Sequence, residues 1–160
     1  MEDAIHALQM IVDDSQSLLQ NKDYSQMVLN LLQTVFSLLI PPFRTPQVLA
    51  HSIDVANMIM WTGTDHTPTY LRDYGKHLLA LFGQVTGHPN VQQQIIRGLS
   101  TVLELDPEFL LQSKDTFLPL LEVCYAGLLI RDQLVALAAC ELFAGVFPLC
   151  FEQQMCDDEL

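Results

Sequence analysis

The sequence of 160 residues predicts an all-α chain, an α-solenoid of stacked antiparallel helical hairpins. Three observations predict it. Apolar residues recur at helical spacing, three and four apart, along most of the chain. Helix-opening residues return at a fixed interval, with Pro46, Pro89 and Asp132 each preceding an apolar run. No stretch of convincing length alternates with the period of a strand, so no sheet is required.

The interval itself is informative. Val48, Val91 and Leu134 lie 43 residues apart, and in the same register Ile53 meets Ile96 and Ala139, Ala56 meets Leu99 and Leu142, and Met60 meets Leu103 and Val146. The helices before them repeat in phase: Leu31, Tyr74 and Phe117; Val35, Leu78 and Leu121; Leu38, Leu81 and Cys124; Leu39, Phe82 and Tyr125. Two helices in phase across three copies form a repeat whose period falls within the ~40–47 residues of HEAT and armadillo arrays. About three full HEAT repeats are expected, at 24–62, 67–105 and 107–147, with a partial repeat helix at 1–22 and the start of a truncated segment at 148–160.

Helices are expected at about 2–20, 25–40, 46–61, 68–84, 89–105, 112–129 and 131–147. Ile5, Leu8, Ile11 and Val12 can be laid on Ile96, Leu99, Val102 and Leu103, so the first helix reads as the second half of a hairpin. Pro41-Pro42 should end the next helix, because proline cannot donate to the preceding turn. Pro68 and Pro89 sit near first helical positions, where the missing N–H costs nothing. Gly75 and Gly98 fall inside helices, where glycine costs ~1 kcal/mol against alanine, and close helix packing is the expected reason.

Composition narrows the function classes. Half the residues are hydrophobic and 16% are charged, enough apolar material for a continuous core. Nineteen acidic residues against seven Lys and Arg give a net charge of -12, which disfavours nucleic acid and favours basic partners. Residues 1–12 carry acid where a signal peptide carries base. The run 134–151 is interrupted only by Glu141 and has marginal membrane-spanning length, but the repeat explains it as a core helix, so no membrane association is expected. Cys124, Cys140, Cys150 and Cys156 match neither a zinc site nor a disulfide framework, which fits a reducing cytosolic or nuclear location.

Catalytic signatures are missing. No His pair with a carboxylate has zinc spacing, and neither a phosphate-binding glycine loop nor a nucleophile elbow occurs. The chain is therefore read as a scaffold, without enzymatic activity, cofactor or metal. Trp61, beside Met58, Met60 and Thr62, is expected to pack between repeats, with a partner anchor as the alternative. Glu141, inside an apolar motif, should be paired with Arg97 or Arg131 or placed at the rim.

Three stretches resemble the importin-β family of nuclear transport receptors, and the transportins within it: Ala4 to Gln9 running on to Asp14-Ser15, Pro89-Asn90-Val91 through Glu104, and Val135 to Phe143, the most specific. The stretch 41–75 matches only in pattern, and Gln92 and Gln93 stand where relatives carry basic residues. The resemblance implies a fragment of the N-terminal HEAT-repeat arch, present in cytoplasm and nucleus. It further implies three classes of protein partner: the GTPase Ran in its GTP form, basic nuclear localisation signals of cargo, and nucleoporins. Second helices line the concave side of HEAT arrays, so the candidate binding residues are Asp54, Asn57, Gln93, Arg97, Asp132 and Glu141. A scaffold subunit of another complex, built from HEAT or armadillo repeats, is the second reading. Apolar surface at the ends of such an array would favour end-to-end self-association.

Overall fold

A computed structural model describes residues 2–40 and 45–157, with side chains as far as Leu149. The described residues are helical apart from their connections, and none forms a strand. The helices are α1 (Glu2–Asp14), α2 (Gln16–Leu19), α3 (Ser25–Leu38), α4 (Pro46–Thr62), α5 (Thr67–Phe82), α6 (Pro89–Leu105), α7 (Pro107–Leu111), α8 (Lys114–Leu129) and α9 (Gln133–Asp157), with a single 3-10 turn at Lys22–Tyr24. Helix α3 packs on α4, α5 on α6 and α8 on α9, so three hairpins form. The second helices also pack side by side in the order α1, α4, α6, α9. Such a row of hairpins is compatible with an α-solenoid.

Local sequence explains the helix ends. Thr45 caps α4 by accepting from the Val48 N–H at 3.3 Å, and Pro46 follows in the first turn. Gly63 ends that helix in the left-handed conformation at φ 75°, which a side chain would resist. Asp106 caps α7 through the Phe109 N–H at 3.2 Å. Asp132 accepts from Leu134 and Val135 N–H groups at 3.0 and 3.1 Å and so opens α9.

Burial follows the repeat in the second helices. Eight positions of α4 are buried: Val48, Leu49, Ser52, Ile53, Val55, Ala56, Ile59 and Met60. The eight buried positions of α6 are their counterparts 43 residues later, Val91, Gln92, Ile95, Ile96, Gly98, Leu99, Val102 and Leu103. Helix α9 buries Val135, Ala138, Ala139, Leu142 and Val146 in that register and leaves Leu134, Glu141 and Gly145 exposed. The reason is position: α9 has a neighbour on one side only among the described residues. The same holds for α1, where Ile5 and Val12 are buried and Ile11 is exposed.

The first helices keep the register from α3 to α5, where Val28, Leu32, Val35 and Leu39 recur as Leu71, Gly75, Leu78 and Phe82, but apart from Cys124, buried like its counterpart Leu81, α8 departs from it. Helix α5 buries Leu71, Gly75, Leu78 and Phe82, but α8 buries Thr116, Leu120, Val123 and Gly127, 45 residues on. Phe117 and Leu121 are only partly buried, and Tyr125 is 68% exposed. Helix α7 causes the slip by adding a short turn before α8, and the connection from α8 to α9 is correspondingly shorter.

Other expectations are also revised. The first helix breaks at Ser15, after the poor helix formers Asp13 and Asp14. The last helix does not stop at 147 but continues through Pro148 to Asp157. Pro148 and Ala144 are both exposed, so water can take the carbonyl that proline leaves unbonded. Pro41 and Pro42 lie outside the described residues, and α3 itself ends at Leu38. Among the described residues no helix is long and apolar enough to cross a membrane.

The helical glycines sit where helices meet. A Cβ on Gly98 would lie 2.5 Å from Leu78 Cδ1 and 2.9 Å from Tyr74 Oη, and one on Gly75 would lie 2.8 Å from Phe109 Cε1. Tyr74 is wholly buried and its hydroxyl donates to the Ile53 carbonyl at 3.1 Å, tying α5 to α4. Burial drives its phenol well above the usual tyrosine range. Phe36 of α3 meets the rings of Tyr70, Tyr74 and His77 on α5, with centroids 5.5 to 6.1 Å apart.

Candidate protein-binding face

The buried stripe of α4 fixes where its polar residues stand. With Ile53, Ala56 and Met60 turned inward, Gln47, His51, Asp54 and Asn57 fall toward the outer side of the second-helix row. Gln93 and Arg97 take the corresponding place on α6. This row is sparing in base. Across α1, α4, α6 and α9, Arg97 is the one Lys or Arg.

Two clefts open on this face and share Asp54. The larger, about 540 Å³, runs between α4, α6 and the start of α9, and is lined by Gln9, His51, Asp54, Gln93, Gln94 and Asp132 among others. The smaller, about 230 Å³, is lined by Gln16, Asp54, Asn57, Met58, Trp61, Arg97 and Thr101. Five of the six residues expected to bind partners therefore come together. Glu141 is the exception: it is exposed, lines neither cleft, and is not paired with Arg97 or Arg131. The ion pair among the described residues is instead Arg72 with Asp106, at 2.7 Å.

Asp54 is the best-defined group here. Gln9 of α1 donates to it through Nε2, and the Gln9 Oε1 faces His51 Nδ1 at 2.7 Å. An amide oxygen only accepts, so Nδ1 carries the proton of His51. The His6 ring leans on His51 with centroids 5.3 Å apart. Partial burial holds the Asp54 carboxyl above its ordinary value, and the nearby Asp13 adds to the rise. The charges of Arg97 and His51 and the Gln9 hydrogen bond oppose it.

Two acceptors on this face are buried without a partner, Asn57 Oδ1 and Gln94 Oε1. Each belongs to a residue lining a cleft, Asn57 the smaller and Gln94 the larger. Trp61 does not pack between repeats as expected; it is 57% exposed at the edge of the smaller cleft. Asp132 spends its side chain on the α9 cap, and only lines the larger cleft.

Gln9 and Gln94 lie outside the set that the sequence predicts. The amphipathic pattern of α1 carries a signal for Gln9, which lies one turn from the buried Ile5 and Val12 and faces α4. Nothing local distinguishes Gln94 from Gln93. Among the described residues, no group of three or more His, Cys, Asp or Glu could hold a metal ion.

Comparisons with protein-family models, with curated proteins and with solved structures found no match. The likeness to importin-β receptors therefore rests on the short stretches at 4–15, 89–104 and 135–143.

Proposed function

We propose that this chain is a HEAT-type scaffold that binds a basic protein partner on its second-helix face. The observation that carries the reading is the repeat of burial: eight inward positions of α4 recur in α6 at 43 residues, which leaves the polar positions of both helices on one face. That face is acidic, with one Lys or Arg, so it attracts positive charge over a distance and less so at high salt. Stacked hairpins bind by shape, and small changes per repeat add up to a change in curvature.

The three motif stretches extend the proposal to nuclear import, with this chain as part of the N-terminal arch of a transportin-like receptor. Ran in its GTP form would bind this face, and the coupling to cargo would be a free-energy difference between two curvatures. Nucleoporins and basic localisation signals of cargo are partners of the same reading. A pull-down of the purified chain against Ran loaded with GTP or GDP tests it. Retention of the GTP form alone supports a transport receptor. No retention of either form, by a chain that circular dichroism shows to be helical, leaves a scaffold of another complex.

A further inference from the structure

The outer side of the first-helix row changes character at α8. On α3 and α5 the positions turned away from the core are polar or small: Asn30, Thr34 and Ser37 on one, Asp73, His77, Ala80 and Gln84 on the other. By the register of burial, the matching positions of α8 are Leu118, Glu122, Tyr125 and Leu129. The three apolar ones are 54%, 68% and 65% exposed. Leu128 beside them is exposed as well, and Pro119, Leu121 and Ala126 are only partly buried. With Leu120, Val123 and Cys124 buried on the inner side, α8 is apolar all round, the pattern of a helix covered on both faces. In a single copy the outer face is open to solvent.

The stripe is self-complementary. Leu118, Glu122, Tyr125 and Leu129 follow one another at spacings of four, three and four, which read the same from either end. Laid antiparallel on a second copy, Leu118 meets Leu129 and Glu122 meets Tyr125, each pair twice by symmetry. The Tyr125 hydroxyl then donates to the Glu122 carboxylate, so the one charge in the stripe gains a partner. In the same register Leu121 falls against Ala126, and Pro119 against Leu128, apolar on both sides. Just beyond them the exposed Asp115 approaches the exposed Arg131 of the other copy, opposite charges at both ends of the contact.

We propose that the outer face of α8 binds α8 of a second copy of this chain, in a two-fold antiparallel contact that closes at a dimer. A chain with a net charge of -12 repels its own kind, so two copies meet best where the single acid of each is matched to a donor. One helix against one helix lies at the lower end of specific interfaces, about 1,000 Å² in all, so the Kd is expected at about 10 μM. Contact through the ends of the helix row is head-to-tail and adds copies without closing, whereas this contact stops at two. The proposal does not rest on the second-helix face, which the dimer leaves open.

The test is sedimentation of the full chain at low salt, from well below to well above that Kd. The mass should step from one copy to two, and Leu137→Glu, which blocks growth from the end of the row, should leave that step in place. Leu118→Glu and Leu129→Glu should each weaken the dimer at least about thirtyfold, because each sets a carboxylate against a leucine at two places. Tyr125→Phe should weaken it about tenfold, since two hydrogen bonds to charged groups are lost. Asp115→Arg should weaken it about threefold by facing like charges, and Arg131→Asp added to it should restore the dimer. Such a rescue cannot come from a misfolded chain, and circular dichroism of the monomeric variants should match the wild type because the substituted side chains are exposed. A chain that stays monomeric throughout overturns the proposal. So does a two-copy step that Leu137→Glu abolishes, or one that Leu118→Glu and Leu129→Glu leave unmoved. A dimer weakened by Asp115→Arg that the second charge change weakens further overturns the antiparallel pairing.

Discussion

Asp54 shows how a single residue can cost stability and serve binding. Its carboxyl titrates above the unfolded value of 3.8, mainly because burial disfavours the charge. Between the unfolded and folded values the native chain holds more protons than the unfolded one. The stabilising contribution is therefore present below the unfolded value and lost as pH rises through the folded one. Asp54→Asn removes that loss, and its oxygen still accepts from Gln9. The variant should melt higher than the parent near neutral pH and lose this advantage in acid; an advantage that grows on acidification contradicts the assignment. Cys124 offers a second residue-scale check. Burial pushes its thiol up to about 11, while Cys140 is exposed. In the folded chain at about pH 8, iodoacetamide should label Cys140 well before Cys124, because the thiolate is the nucleophile. Equal rates before unfolding would show that Cys124 is not enclosed.

Glycines separate close packing from simple connection at the scale of the element. Gly98→Ala gains helix propensity but sets a methyl against Leu78 and the wholly buried Tyr74. Overpacking costs typically ~1–3 kcal/mol, more than the ~1 kcal/mol gained, so the melting temperature should fall. At Gly83 an added Cβ meets nothing within 4 Å and the backbone is right-handed, so Gly83→Ala should stabilise by roughly 0.4–1 kcal/mol. A gain from both substitutions would deny the contact between α5 and α6. These two helices also show what was legible in the sequence. The period of 43 marks α4, α6 and α9, and Asp54, Asn57, Gln93 and Arg97 follow from which side the apolar stripe leaves free. The slip in α8 was not legible from the period. It was written in Asp106-Pro107-Glu108, a cap followed by proline, which opens the short α7. Trp61 escapes the pattern for another reason: periodicity gives the buried stripe, but exposure at a helix end depends on how the next hairpin is set.

The ends of the row matter most for the whole molecule. Val91 and Leu134 occupy equivalent places, yet one is buried and the other 57% exposed. Val91→Glu should cost ~3 kcal/mol or more, as a charge buried without a partner does, and Leu134→Glu should stay within about 0.5 kcal/mol. If the exposed Leu134 and Leu137 at one end and Met10 and Ile11 at the other support end-to-end association, the wild-type mass in sedimentation should rise with concentration. Leu137→Glu should suppress that rise, and an unchanged rise would place the contact elsewhere. The central claim is that a partner binds the acidic second-helix face. Amide exchange of the full chain with GTP-loaded and GDP-loaded Ran tests it most directly. The account predicts protection of α4 and α6 by the GTP form that weakens with salt. Binding that protects α3, α5 and α8 instead, or no protection of a folded chain by either form, would contradict it.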